Sequence, residues 1–170
     1  MPHLLVDISS HGYGHVSQTS AVVNELVQLM PGLRVTVRTT APHEFLASRF
    51  QCEFLHIPLA FDFGMKMENA VDVQVAKSAV AYREFHADWS RKVEREAEAM
   101  HQLKPDLLLA NVPYLSLAAA HKANVLAVGM CCLNWAGIYQ HYCSDDAAFK
   151  LVHEQMIAAY RSAECFIRVE

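Results

Sequence analysis

The chain has 170 residues, a net charge of −4 with neutral histidines, 53% hydrophobic residues and 19% charged residues. This composition excludes a disordered or collagen-like chain, and the length fits one domain with a sizeable core. With no basic excess and no apolar run near the ~20 residues of a bilayer span, we expect neither nucleic-acid binding nor a transmembrane segment.

Short apolar runs alternate with helical patterns in the first part of the chain. The patterns predict a buried strand over 3–9 and a helix over 16–30, which Pro31-Gly32 ends, followed by a strand over 33–40. A short helix over 42–50 and a strand over 52–57 complete this part. From 58 to about 72 there is no clear period, and a loop of that length is usually functional or mobile.

The same alternation continues to the last residue. Apolar residues recur at three- and four-residue steps from Val75 to Leu103, which predicts one long helix. Further elements are predicted as a strand over 106–110, a helix over 113–123, a strand over 125–131, a helix over 146–161 capped by Ser144, and a strand over 165–169. This order favours an α/β fold with a doubly wound, mainly parallel Rossmann-like sheet and helices on both faces. Because the last strand has no covering helix, we expect residues 1–170 to be a single domain that is half of a larger architecture.

The turn between the first strand and the first helix, residues 7–17 (DISSHGYGHVS), is the most informative segment. Open α/β sheets bind ligands in the crevice at this position. Gly12 and Gly14 allow a tight turn and a close approach of backbone to ligand, and the helix N-terminus beyond them suits an anion. His11 and His15 are placed either to take a proton from a hydroxyl nucleophile or only to cap the turn.

Two other interpretations of this turn remain open. Only two of the three glycines of a dinucleotide-binding turn are present, but Arg38 could meet a 2′-phosphate, which keeps an NADP-dependent oxidoreductase as an alternative. A metal site would use His11 and His15, yet no acidic or cysteine partner is fixed nearby, so we predict no metal. A P-loop is excluded because no Gly-Lys-Ser/Thr follows the turn.

Three segments resemble GT-B glycosyltransferases. SSHGYGHVSQTSAVVNEL at 9–26 is similar to the Gly-His turn that follows strand one in their N-terminal domains. PDLLLANVP at 105–113 and CLNWAGIY at 132–139 add to the likeness, and the latter is similar to an N-F-x-W-x-W-I-Y segment. The three together most resemble the glycosyltransferase-like group that includes the N-terminal domain of L-arabinokinases. The resemblance covers the whole chain but only the acceptor-side half of a GT-B enzyme.

The resemblance implies an enzyme that transfers a sugar from a nucleotide-sugar donor to a hydroxyl acceptor with inversion. It implies that His15, with His11 beside it, is catalytic, and that His15 is the general base. In several related families an Asp after the fourth strand supports this base, and Asn111 stands at the matching position. Asp7 or Asp106 could substitute for it. No metal and no cofactor are implied, since the nucleotide-sugar is a co-substrate.

The residues after the fourth and fifth strands complete the predicted binding site. An indole and a phenol at the crevice could stack on a sugar or a base, although aromatic residues more often pack in a core. The predicted substrate-binding residues are Gly12, Gly14, Asn111, Asn134, Trp135 and Tyr139.

The implied partners are a nucleotide-sugar, a hydroxyl acceptor and a C-terminal donor-binding domain in the same or a separate chain; a homo-oligomer is left open. Neutral Asn111 supports an alternative function, a non-catalytic domain that binds a sugar or sugar-nucleotide or regulates an enzyme. Five cysteines without a C-x-x-C pair, and no leader before the first strand, lead us to expect a cytoplasmic protein.

Overall fold

A computed structural model describes residues 1–69 and 71–169, and it confirms the predicted α/β fold. The strands are β1 (His3–Ile8), β2 (Arg34–Arg38), β3 (Leu55–Ile57), β4 (Leu107–Asn111), β5 (Leu126–Met130) and β6 (Cys165–Ile167). The helices are α1 (Tyr13–Leu29), α2 (His43–Ala47), α3 (Val75–His86), α4 (Trp89–Leu103), α5 (Tyr114–Lys122), α6 (Trp135–Cys143) and α7 (Phe149–Arg161). No helix of the described residues is long and apolar enough to cross a membrane.

The six strands form one sheet that is parallel throughout, in the order β3-β2-β1-β4-β5-β6. The chain first adds strands on one side of β1 and then returns to add β4 on the other side. Ligands bind in open α/β sheets at such a switch point, outside the carboxyl ends of the strands. Ile8 pairs with Asn111 there, so the glycine turn after β1 and the end of β4 are neighbours.

Helices cover both faces of the sheet because the side chains of each buried strand alternate. Leu4 and Val6 of β1 pack into a cluster with Val16 and Val23 of α1 and Leu46 of α2. On the opposite face of the sheet, α4 and α5 pack on the strands in a second cluster, which includes Leu5, Ala97, Met100, Leu108, Leu117 and Ala120. Burial on both faces explains why the strands read as continuous apolar runs.

The prediction of one long helix up to Leu103 is wrong, because the chain forms α3 and α4 with a break at 87–88. Trp89 stacks on His86 across this break, with 4.8 Å between ring centroids. Nζ of Lys92 donates a hydrogen bond to the carbonyl of Phe85 (2.7 Å) and contacts Asp88. A charged side chain thus supplies a hydrogen bond to a free carbonyl at the end of α3. No Gly or Pro in the sequence indicates that a helix ends there.

The C-terminal part contains a helix that the sequence analysis missed. The segment singled out for its motif forms α6, whose N-cap is Asn134. Ser144 ends α6 rather than capping the next helix, and α7 begins at Phe149 instead of 146. At the other end of the chain, α1 begins at Tyr13, so His15 lies inside its first turn.

Candidate functional site

His15 lies in the first turn of α1, next to the carboxyl end of β4. Its Nδ1 is 3.0 Å from Oδ1 of Asn111. His15 is 9% exposed, and its Nε2 has no hydrogen-bond partner within residues 1–69 and 71–169. The ring is therefore fixed through one nitrogen while the other is left to act.

The hydrogen bonds of Asn111 decide which nitrogen of His15 carries the proton. The two hydrogens of Asn111 Nδ2 face three acceptor oxygens, the His15 carbonyl (3.3 Å), Gln18 Oε1 (3.3 Å) and Thr19 Oγ1 (3.0 Å). The amide oxygen must therefore face His15, where it accepts a hydrogen bond from Nδ1–H. Neutral His15 is held as the tautomer whose Nε2 is a proton acceptor. Asn111 is fully buried and its side chain contacts His15, which leaves it no surface for a ligand and corrects its predicted role in substrate binding.

His11 is exposed at the turn, and its ring contacts two residues, Trp135 and Gly64. The ring meets that of Trp135 edge to face, with 5.1 Å between centroids, and the backbone N–H of His11 donates to Ser9 Oγ (3.3 Å). At Gly64 an added Cβ would lie 2.4 Å from Nδ1 of His11. The two predicted catalytic histidines therefore lie at one site but have different supports.

A substitution at Gly64 tests whether this residue packs against the His11 ring. Its φ of +64° disfavours any side chain, and the space for a Cβ is taken by the His11 ring. Gly64→Ala should lower the free energy of unfolding by about 1–2 kcal/mol for the backbone and further for the displaced ring. Gly32→Ala is the matched control, since its φ is +89° with nothing within 4 Å of the added Cβ. Equal losses in urea unfolding would contradict the close packing of His11 on Gly64.

Asp62 is the site residue that the sequence analysis missed. Its carboxyl group accepts hydrogen bonds from Ser9 Oγ (3.0 Å) and Trp135 Nε1 (2.7 Å). Burial, the largest effect, raises the pKa of Asp62, while these two hydrogen bonds and the charges on His15 and His11 lower it. The only signal in the sequence was a carboxylate flanked by two phenylalanines in the segment without a period.

Trp135 and Tyr139 do not occupy the positions that sequence analysis assigned to them. Trp135 is 1% exposed and Tyr139 is fully buried, both within the aromatic core that α3, α5, α6 and α7 share. A correction follows: neither ring has a free face for stacking on a sugar or a base. Their residue types suit the crevice, but their positions in the first two turns of α6 direct them into the core.

Asn134 is exposed, and its side chain accepts a hydrogen bond from the Gly137 N–H (2.8 Å), which caps α6. It also borders an apolar cavity of about 220 Å³ with Ile157, Tyr160, Arg161 and Phe166. Its predicted role in substrate binding stays a prediction, and helix capping accounts for the bond that the structure shows.

A cavity of about 190 Å³ lies beside the glycine turn, at the carboxyl ends of β1 and β2. It is lined by Ser9, Ser10, Gly12, Tyr13, Thr40, Ala41 and Pro42. Gly12 has a φ of +151°, and Gly14 has open space around the position of a Cβ. Because α1 has no side-chain cap and no acidic residue in its first turn, its N-terminal amides can favour an anion at this end of the sheet.

Arg38 belongs to a buried ionic cluster, which corrects two expectations. Its Nε and Nη2 each donate to the carboxylate of Asp7 at 2.6 Å, and Nη1 contacts Glu96 of α4. With all three nitrogens engaged and 1% exposure, Arg38 cannot meet the 2′-phosphate of NADP. Asp7 is equally committed, and Asp106 binds the backbone N–H of His3 (2.7 Å) at the opposite end of the sheet, so neither supports His15.

Glu96 should make stability depend on pH. Burial, the largest effect, raises the pKa of Glu96 to about 7 from 4.5, although Arg38 lowers it. Its stabilising contribution is therefore complete below about pH 4.5 and is lost as pH rises through 7. Relative to Glu96→Gln, the wild-type free energy of unfolding should fall by about 2–3 kcal/mol between pH 5 and 8. Urea titrations at both pH values test this, and exposed Glu94→Gln should show no such difference.

Within the described residues, no group of three or more His, Cys, Asp or Glu side chains is placed to hold a metal ion. His15 contacts Asn111, whereas His11 contacts Trp135. The chemistry that the site offers is proton transfer by an imidazole whose tautomer is fixed.

We compared the sequence and the structure of this chain with those of known proteins. No protein-family model matches the chain. A curated relative, L-arabinokinase of Arabidopsis thaliana, is 28% identical over 137 residues, which are 79% of this chain and 13% of that protein. The chain thus spans a small part of that relative.

Solved structures cover nearly the whole chain. UGT89C1 of Arabidopsis thaliana, solved with UDP, has a TM-score of 0.55 at 18% identity over 97% of this chain and 44% of its own. UGT2 of Phytolacca americana, solved with UDP-2-fluoro-glucose and pterostilbene, has a TM-score of 0.57 at 12% identity, over 98% of this chain and 47% of its own. A UDP-N-acetylglucosamine 2-epimerase also has this fold, with a TM-score of 0.50 at 13% identity, over 97% of this chain and 41% of its own. The chain has the Rossmann-like fold of a GT-B half domain, as the resemblance predicted.

Proposed function

We propose that this GT-B half domain is the acceptor-side half of a glycosyltransferase that moves a sugar from a nucleotide-sugar to a hydroxyl group with inversion. The observation that carries the proposal is the 3.0 Å contact between Nδ1 of His15 and Oδ1 of Asn111, because it leaves Nε2 as a base at the switch point of the sheet. The fold relatives solved with UDP or a UDP-sugar support the substrate class.

His15 would act as general base in a single displacement. The acceptor hydroxyl gives its proton to Nε2 as its oxygen forms a bond to the anomeric carbon. The bond between that carbon and the phosphate oxygen breaks, and the nucleoside diphosphate leaves with the electron pair. Attack on the face opposite the leaving group inverts the anomeric centre. The donor nucleotide would be held mainly by a second domain, in the same or a separate chain, as the resemblance implies.

A transfer assay tests this function directly. The longest encoded polypeptide containing these residues, or this chain with a separately expressed donor-binding domain, would be incubated with a panel of nucleotide-sugars and hydroxyl acceptors. Products are identified by mass spectrometry, and their anomeric configuration by NMR. Inverted products that depend on His15 support the proposal. Retained configuration, or no glycoside with any pair, contradicts it.

A second candidate function is a sugar or sugar-nucleotide binding or regulatory domain without transfer activity. The observation that favours it is Asn111, a neutral side chain where a carboxylate would stabilise an imidazolium. Titration calorimetry with the same panel of nucleotide-sugars distinguishes the two functions. Saturable binding without any turnover, at every enzyme concentration, favours the binding domain over the enzyme.

A further inference from the structure

Asp62 lies at the centre of a buried network that reaches both sides of His11. The Asp62 side chain is 8% exposed, in the segment between β3 and α3. Each of its carboxylate oxygens accepts one hydrogen bond, from Ser9 and from Trp135. Ser9 Oγ in turn accepts the backbone N–H of His11, and the Trp135 ring supports the imidazole. The indole can only donate, so the ionised form of Asp62 satisfies every member of the network.

The two histidines of the site are the groups whose positive charge would act on this carboxylate. Positive charge on His15 and His11 lowers the pKa of Asp62, against burial, which raises it. The other titratable groups around Asp62 and His15 are Tyr82 of α3, Tyr114 of α5, Tyr160 of α7 and the Cys131 thiol, 3.6 Å from His15 Nδ1. Burial, the largest effect, raises the pKa of each of these four, so they remain neutral when a histidine takes a proton.

Resting on the proposed function, we propose that Asp62 is a positioning residue of the acid–base site. It fixes Trp135 and Ser9 against His11, and it supplies the negative charge that Asn111 lacks when His15 takes the acceptor's proton. Coupling of charges is reciprocal, so a carboxylate that histidine charge stabilises must also stabilise that charge. In a buried site this interaction is screened less than at a surface.

The first test is the pH profile of transfer by Asp62→Asn. The amide has the same shape and keeps an acceptor for Trp135 Nε1, but it removes the charge. We expect kcat to fall about tenfold and the acidic limb of kcat/KM to move to lower pH by about 0.5–1 unit, since loss of the anion makes protonation of the base less favourable. Asp72→Asn, an exposed change in the same segment, should leave both unchanged. Damage to the fold alone would lower kcat at every pH without moving the limb.

Trp135→Phe separates the two parts of the role. It removes the indole N–H that binds Asp62 but keeps the carboxylate and an aromatic ring against His11. We expect kcat to fall while the acidic limb moves less than in Asp62→Asn. A shift as large as that of Asp62→Asn would contradict the division between support and charge.

A second measurement does not depend on transfer. The pKa of Asp62, followed by its carboxyl ¹³C resonance in this chain, should rise in His15→Gln or His11→Gln by about 0.3–1 unit, because a positive charge is lost. A pKa of Asp62 that neither substitution changes overturns the inference. So does a wild-type enzyme with measurable transfer whose pH profile Asp62→Asn leaves in place. No transfer by any preparation, wild type included, counts instead against the proposed function.

Discussion

Replacing His15 by alanine is expected to reduce kcat for glycosyl transfer by about 10²–10⁴-fold, the usual contribution of a general base. The physical reason is that in the proposed reaction Nε2 takes the acceptor's proton, with its tautomer fixed from Nδ1 by Asn111. KM for the donor should change little, because the ring is not proposed to hold the nucleotide. Initial rates over a range of donor and acceptor concentrations measure both constants.

Two companion variants make this result interpretable. Alanine leaves the buried Asn111 oxygen without its donor, which costs about 1–3 kcal/mol of stability. His15→Asn has an amide N–H at the position of Nδ1 that can replace this donor but cannot act as a base, so it should remain folded and equally inactive. His101→Ala on the exposed side of α4 should transfer at the wild-type rate. Full activity in His15→Asn would remove His15 from the reaction.

The largest effect on stability is expected from Arg38→Met. Methionine fits the length of the arginine stem but leaves the fully buried carboxyl group of Asp7 without its bidentate partner. Removing one partner of a buried ion pair typically costs about 3–5 kcal/mol, and the contact of the Arg38 guanidinium with the Phe61 ring (4.2 Å to the centroid) is lost as well. Urea unfolding at pH 7 measures the change in free energy.

Controls identify desolvated charge as the cause. Lys122→Met breaks an ion pair with Glu94 whose side chains are 47% and 66% exposed, and it should cost at most about 1 kcal/mol. Adding Asp7→Asn to Arg38→Met removes the uncompensated charge and should recover part of the lost stability. The structure shows that the cluster of Arg38, Asp7 and Glu96 is shielded from water. A loss of stability in Arg38→Met no larger than that in Lys122→Met would contradict this.

The fold could be predicted because each buried strand leaves a local pattern. In β1, β2, β4 and β5 the apolar and β-branched runs are bounded by Gly, Pro or polar turns, and the first helix was predicted three residues later than its start at Tyr13. Parallel pairing followed from the alternation of strands and helices. The order of the strands within the sheet could not be predicted in this way, because it depends on which apolar faces meet between elements far apart in the sequence.

The errors have a common physical origin in side chains that meet across the fold. The apolar stripe continues through 87–88, so only the contact of Lys92 with the end of α3 reveals the break. A further error is local: the sequence analysis missed α6, although an Asn before a helical run is an N-cap signal. Asp62 joins Ser9 and Trp135 from positions 53 and 73 residues away, a distance that no local pattern covers.

The different supports of the two histidines have a dynamic consequence. His15 is held through Asn111 on a central strand, where amides exchange with solvent only through the rarest openings. His11 instead leans on Gly64 and on Trp135, which a loop residue, Asp62, holds by its indole N–H. Local opening of that loop would release His11 while His15 keeps its orientation. The domain thus combines one imidazole held from a central strand with one whose position depends on a segment outside the sheet.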